Sequence, residues 1–244
     1  MPVAIFERRW LAECESTNAL GLEHLREGGG PLLLVADRQT NGRGRQGRSW
    51  ISIPGGSLTC SFALALPARL DLSGLSLAVG CAVADALDPS GGHIRLKWPN
   101  DLWLDGAKLG GILIETIPLP EGQRGVVIGL GLNLAPLPLD ADRSAYASGH
   151  AALTSLWPEA DADAVLARLA PALRHLLSDF EDFGGFGPWQ RVFAKRDLAR
   201  GQVVRVGTLV GTARGVNGHG DLLLQTASGL QVCRSGELSL RLEE

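Results

Sequence analysis

Cysteine is scarce in this chain of 244 residues, and Cys14, Cys60, Cys81 and Cys233 form no Cys-x-x-Cys pair. They read as reduced thiols of a cytoplasmic protein, not as a disulfide framework. The five histidines, at 24, 93, 150, 175 and 219, show no metal-ligand spacing. No long apolar run is present, and Met1 to Trp10 already carries Glu7, Arg8 and Arg9. That excludes a signal peptide or a membrane span in the sequence as read. A strong charge imbalance is missing as well: 23 basic against 26 acidic residues leave a net charge of -3. Nothing global therefore points to nucleic acid or an anionic membrane. No internal repeat or low-complexity tract stands out.

Against this background one stretch is unusual. Gln39-Thr-Asn-Gly-Arg-Gly-Arg-Gln-Gly-Arg-Ser-Trp50 sets Arg43, Arg45 and Arg48 among Gly42, Gly44 and Gly47, with no acid between them. Glycine lets backbone approach a ligand closely, and arginine offers a permanently charged fork for carboxylate or phosphate. The stretch reads as an anion-wrapping loop, or more blandly as a solvated basic loop. Its Gly-x-Gly-x-x-Gly spacing also fits a dinucleotide fingerprint, but that motif must open a helix. Ser49-Trp-Ile-Ser-Ile-Pro-Gly-Gly56 follows instead and cannot do so.

The length allows one large domain, or one domain with a small appendage, and 45% hydrophobic residues suffice for a core. Val3 to Cys14 reads as a strand, followed by a helix from Ala19 to Arg26 that Ser16, Thr17 or Asn18 caps. A helix start with spare hydroxyls and an amide also suits a polar ligand group. Pro31 to Ala36 reads as a buried strand. In Ser57 to Leu66, Leu58, Cys60, Phe62, Leu64 and Leu66 share one face, while Ser57, Thr59, Ser61, Ala63 and Ala65 share the other. Gly125 to Leu134 repeats this, with Val127, Gly129, Gly131 and Asn133 on its small face. Two alternate glycines in a strand mean either a closely approaching neighbour or a flat ligand on the sheet, and the repetition favours the ligand.

Ser73 is expected to cap a helix from Leu75 to Leu87. Asp105-Gly106 predicts a two-residue hairpin that pairs Leu104 with Ala107 and Trp103 with Lys108. Asp101, Trp103 and Lys108 then share a face, with Asp101 and Lys108 about one diagonal apart, as a structural ion pair or an active-site pair. Residues 136–158 read as an irregular connection, Ala164 to Phe183 as an amphipathic helix kinked at Pro171, and Pro188 to Arg196 as a shorter helix. From Gly201 short β runs at 202–206, 208–216, 221–227, 230–234 and 237–242 suggest a small barrel, so a boundary is placed near 198–201.

Together these blocks resemble biotin protein ligase. The resemblance rests on Glu15-Ser-Thr-Asn18, Gln39 to Trp50, Lys97-Trp-Pro-Asn-Asp101, Lys108-Leu-Gly-Gly-Ile-Leu-Ile-Glu115 and Gly129-Leu-Gly-Leu-Asn133, with Gly236 to Arg241 at the end. It covers essentially the whole chain. It implies an α+β fold: a mixed, largely antiparallel sheet covered by helices, class II synthetase-like, with a small SH3-like barrel. The parts would be a catalytic domain at 1–198 and a barrel at 199–244. It further implies ATP and biotin as substrates with Mg²⁺, and a biotin carboxyl carrier protein as partner; a homodimer is left open. Ser16, Thr17, Asn18, Gln39, Gly42, Arg43, Gly44, Arg45, Lys108 and Gly111 would bind biotin. Arg45, Arg48, Trp50, Lys97, Asn100, Lys108, Gly129, Gly131, Asn133 and Arg241 would bind ATP. Lys108, Arg45 and Asp101 would be catalytic, with Asp101 assisting either Mg²⁺ or the incoming lysine.

Trp98 and Pro99 read as packing and turn residues, Trp103 as a support for Lys108 or a pocket wall, and Glu115 as a strand-end charge. The family's regulatory members carry an N-terminal winged-helix domain. Here the Ser-Thr-Asn block begins at residue 16, so operator DNA is not an expected partner. The adenine contacts within 136–160 are unassigned. Two alternatives compete: a lipoate or octanoate ligase, whose Gly-rich and His-Asp signature is absent, and a non-catalytic ligand- or nucleic-acid-binding module, which the net charge disfavours.

Overall fold

Alternation between large apolar and small residues decides how the main sheet is dressed on its two sides. The computed structural model describes residues 5–138, 149–234 and 240–242. Strands β1 (Glu7–Cys14), β2 (Leu32–Gln39), β3 (Ser57–Pro67), β4 (Arg95–Lys97), β5 (Asp101–Leu104), β6 (Ala107–Leu119) and β7 (Gln123–Asn133) form one sheet in the order β1-β2-β3-β7-β6-β5-β4. β1 and β2 are parallel, and every other pairing is antiparallel.

The large-residue face, including Leu58, Cys60 and Phe62 of β3 and Ile128, Leu130 and Leu132 of β7, is buried. It joins one core with helices α2 (Leu75–Leu87) and α3 (Ala162–Asp182). The short helix α1 (Thr17–Arg26) lies on the small-residue face against β3, β6 and β7. A Cβ at Gly21 would sit 3.2 Å from Val127 and 3.3 Å from Ala63, so small partners on both sides set this close approach. Ser16 is the N-cap of α1.

The hairpin between β5 and β6 turns at Asp105 and Gly106, whose φ angles are +50° and +78°, as a type I′ turn requires. Leu104 pairs with Ala107 and Trp103 with Lys108, as expected, but a bulge then sets Leu102 opposite Gly110 and Asp101 opposite Gly111. The expected cap of α2 is corrected. Gly74, at φ +75°, is the N-cap and makes no side-chain cap bond, while the Ser73 amide donates to Asp71. The chain enters this helix through a left-handed residue, which favours glycine over serine. Pro171 lies inside α3, which runs on past it without a break, and a single turn at Gly187–Trp189 leads into α4 (Gln190–Arg196).

Strands β8 (Val203–Val206), β9 (Leu209–Val216), β10 (Leu222–Thr226), β11 (Gly229–Cys233) and β12 (Leu240–Leu242) form a second antiparallel sheet, ordered β11-β10-β9-β8-β12. The short runs expected there are found in number and order; 237–239 lie outside the described residues. So do 139–148 of the connection read as irregular. Val204, Val206, Leu222 and Leu224 of this sheet belong to the same buried cluster as the main core. The buried Trp98 indole N–H donates to the Gly220 carbonyl at 3.0 Å, tying the two sheets together. Among the described residues no helix is long and apolar enough to cross a membrane.

One ion cluster, buried at Arg196 and Asp88 and open to solvent at Asp85, braces α2 against α4. Arg196 donates to Asp85 at 2.9 Å and Asp88 at 3.0 Å, and to the carbonyls of Ile94 and Asp88. Burial alone would raise the Asp88 carboxyl; Ser90, the Ile94 and His93 amides and Arg196 outweigh it and hold the group well below the usual carboxylate range. This stabilisation is present above the unfolded carboxyl's pKa of about 4 and is lost as pH falls below it. Arg196→Ala is expected to cost about 3–5 kcal/mol at neutral pH, because it strands a buried carboxylate. Denaturant unfolding measures the loss, and the gap from the parent protein should narrow below about pH 4.

Candidate active site

The start of α1 carries a dense hydrogen-bond cluster. Gln39 Oε1 accepts from the Thr17 amide at 2.7 Å and the Thr17 hydroxyl at 3.0 Å. The Ser61 hydroxyl lies 2.6 Å from both Thr17 Oγ1 and Asn18 Oδ1 and can share its one proton between them. Asn18 Nδ2 donates to the Leu113 carbonyl at 3.2 Å and to Glu115 at 2.8 Å. Ser16 Oγ accepts from the Ala19 amide, which leaves its own proton to donate. Ser16, Thr17, Asn18 and Ser61 are all buried.

The two strand glycines make room for protein groups. A Cβ on Gly129 would fall 2.3 Å from Asn18 Oδ1, and one on Gly131 would fall 2.4 Å from the Trp50 ring. The close-neighbour explanation of the bare face therefore holds at both positions, where the sequence pattern had favoured a ligand. Asn18 and Trp50 occupy the space directly above them. Trp50 is held by its amide, which donates to the Gly42 carbonyl at 2.9 Å. Its indole Nε1 and the Thr59 hydroxyl on the neighbouring strand are buried without a partner.

Charge gathers at the β5–β6 hairpin. Lys108 Nζ is 2.7 Å from Asp101 Oδ1, and Gly111 lies beside both. Burial lowers the Arg45 pKa; the Asp101 charge opposes that shift and Arg48 adds to it. An arginine so placed remains cationic, so Arg45 and Lys108 both act on Asp101. Lys97 pairs with Asp101 in register and sets its ammonium 4.6 Å above the Trp103 ring. Asn100 Nδ2 donates to the Ile112 carbonyl at 2.8 Å and Asn133 Nδ2 to the Lys108 carbonyl at 3.1 Å. Both asparagines thus brace the backbone that presents Lys108 and keep their side-chain oxygens. Among the described residues no group of three or more His, Cys, Asp or Glu gathers to hold a metal ion; Asp101 meets an ammonium instead.

The Arg/Gly stretch is a small hairpin. Arg43 bridges Ser49, Gly44 N donates to Arg48 O at 2.7 Å, and Gln46 (φ +56°) and Gly47 (φ +73°) turn the chain. No helix follows it, in keeping with the rejected dinucleotide motif. Arg43 Nη1 reaches to 3.9 Å from Glu115, while Arg48 points outward and is exposed. Beneath the hairpin a cavity of about 640 Å³ is lined by Arg43, Gly44, Arg45, Trp98, Pro99 and Glu115 among others. The Lys108–Asp101 pair lies outside that lining. Arg241 is placed by its backbone alone, on β12 opposite Arg205.

A family model for the biotin/lipoate A/B protein ligase family matches residues 11–133. The chain is also 32% identical over 240 residues to the biotin–[acetyl-CoA-carboxylase] ligase of Paracoccus denitrificans, covering 93% of this chain and 98% of that relative. The chain belongs to the biotin/lipoate A/B protein ligase family. It is 33% identical to the bifunctional ligase/repressor BirA of Escherichia coli strain K12 over 94% of this chain and 73% of that one. A solved structure of biotin protein ligase from Aquifex aeolicus in complex with biotin and ATP superposes with a TM-score of 0.80 at 30% identity, covering 97% of this chain and 99% of that one. The large mixed sheet with a smaller antiparallel sheet at the C-terminal end matches the biotin ligase fold.

Two residues of this polar cluster were not among the site residues named from the sequence. Ser61 stood in the alternation as one of several small groups, and only its inward position between Thr59 and Ala63 hinted at a role. Glu115 was read as a strand-end charge, yet it contacts both α1 and the hairpin. Gly131→Ala is expected to push the Trp50 ring from its seat, at an overpacking cost of about 1–3 kcal/mol. Hydrogen exchange across 48–52 should rise in that variant; unchanged protection would mean the ring has room to give.

Proposed function

We propose that this protein uses ATP to activate biotin as biotinyl-5′-adenylate and transfers the biotinyl group to a lysine of a biotin carboxyl carrier protein. Lys108 carries the reading: its ammonium is braced by Asp101 at 2.7 Å with Arg45 nearby, and the polar start of α1 lies on the same sheet face. A relative named for ligating biotin to acetyl-CoA carboxylase, and the Aquifex complex with biotin and ATP, support it.

In the first step a biotin carboxylate oxygen bonds to the α-phosphorus of ATP and the bond to pyrophosphate breaks. Two anions must meet, so fixed cations aimed at the developing charge lower the barrier. Lys108 spans the carboxylate and the α-phosphate, and Arg43 and Arg45 neutralise the remaining oxygens. Ser16, Thr17, Asn18 and Gln39 hold the ureido ring, with Gly42, Gly44 and Gly111 admitting it closely. Arg48, Trp50, Lys97, Asn100, Gly129, Gly131, Asn133 and Arg241 form or support the nucleotide side. Asp101 would hold Mg²⁺ accompanying the phosphates, and the ion would supply further neutralisation of their charge. In the second step a carrier-lysine amine attacks the acyl carbon, AMP leaves and the amine loses a proton. The 42–48 hairpin keeps water from the intermediate. In this reading residues 1–198 carry the site and 199–244 form the smaller unit that closes it from the Trp98 side.

Pyrophosphate release from ATP tests the reading: it should depend on biotin and be absent with lipoate or octanoate, and the reverse pattern overturns it. Lys108→Ala should lower adenylation by about 10²–10³-fold, the loss expected for one such charge, with the circular-dichroism spectrum unchanged. Biotin with an ATP analogue should slow hydrogen exchange at 42–48, and equal protection in both states would argue against a closing hairpin.

A further inference from the structure

Glu115 stands where α1, β6 and the Arg/Gly hairpin meet, and its two oxygens point to different partners. Oε2 accepts from Asn18 Nδ2 at 2.8 Å, and Oε1 lies 3.9 Å from Arg43 Nη1. The side chain is 27% exposed and lines the cavity beneath the hairpin. An ionised carboxylate can only accept, so the edge of Asn18 facing it must be the amide's N–H side. The second N–H of Asn18 is taken by the Leu113 carbonyl at 3.2 Å. Both amide hydrogens are thus spent, and Oδ1, receiving one hydrogen bond from Ser61, keeps one lone pair for a ligand.

We propose that Glu115 is a positioning residue of the biotin site, fixing the amide of Asn18 as a hydrogen-bond acceptor and drawing Arg43, with its hairpin, down onto β6. The proposal rests on the ligase reading above and deepens it: a ligand meeting Asn18 must bring a hydrogen-bond donor, as the N–H of a ureido ring does and a saturated acyl chain does not. The hairpin and the ring site are then joined through one side chain, so a chain properly closed over its ligand also has Asn18 correctly turned.

Two substitutions separate the two contacts. Glu115→Ala removes both and should raise KM for biotin about tenfold, the scale of a charge-assisted hydrogen bond, with a smaller change in kcat. Glu115→Gln keeps an acceptor for Asn18 but no charge for Arg43. Its KM for biotin should stay within about twofold of the parent's, since the amide oxygen replaces the lost acceptor. Yet its hairpin at 42–48 should exchange hydrogen faster, and without a carrier it should release pyrophosphate about two- to fivefold faster as adenylate leaks away, the range of a partly exposed ion pair. Identical behaviour of the two variants, or an unchanged KM in Glu115→Ala, overturns the proposal; if Glu115→Ala does not fold, Glu115→Gln still tests the hairpin contact. A parent protein that releases no pyrophosphate with biotin would sink the ligase reading instead, and hairpin exchange in Glu115→Gln would still report on the Arg43 contact.

Discussion

The absence of side chains at Gly129 and Gly131 constrains this molecule more than any single bond does. Because nothing projects there, the first turn of α1 can bring Asn18 down to the sheet and Trp50 can lie flat beside it. From those two placements follow the Ser61–Thr17–Gln39 chain of hydrogen bonds and the depth to which the Arg/Gly hairpin folds back. Glycine in a strand costs stability and loses packing. Here the volume vacated at Gly129 is returned as the polar contacts of Asn18, and that at Gly131 as a seat for the Trp50 ring.

A second constraint is the presentation of cations. Lys108 follows a two-residue turn and precedes a bulge, where register shifts by one residue. An unbulged ladder would have set Gly110 opposite Asp101; the bulge brings Gly111 there, and its bare Cα lies close to both members of the ion pair. The carbonyl of Lys108 is held from two directions, by Asn133 and by the Ala151 amide. The backbone is thus fixed at Lys108 while the ion pair with Asp101 restrains its long side chain.

Much of this was legible from residue order. Period-two alternation identified both faces of β3 and β7, and Asp105-Gly106 gave the hairpin and the proximity of Asp101 to Lys108. What alternation could not reveal was which groups would fill the small face. A gap left by glycine looks the same in sequence whether a ligand, Asn18 or Trp50 fills it. The bulge between Leu102 and Trp103 had no marker besides the Gly110-Gly111 pair, and Gly74 displaced Ser73 as the cap because φ is invisible until the path of the chain is known. Glu115 was missed because its partners lie 97 residues away at Asn18 and on a separate hairpin, beyond any local pattern.

The bond from Trp98 to Gly220 has a mechanical meaning as well. The turn at 217–220 grips an indole that stands three positions before Asp101 along the chain, and Gly220 also abuts Gly74 at the head of α2. The C-terminal sheet is thereby coupled, through one hydrogen bond and a few residues of chain, to the segment whose carboxylate faces Lys108.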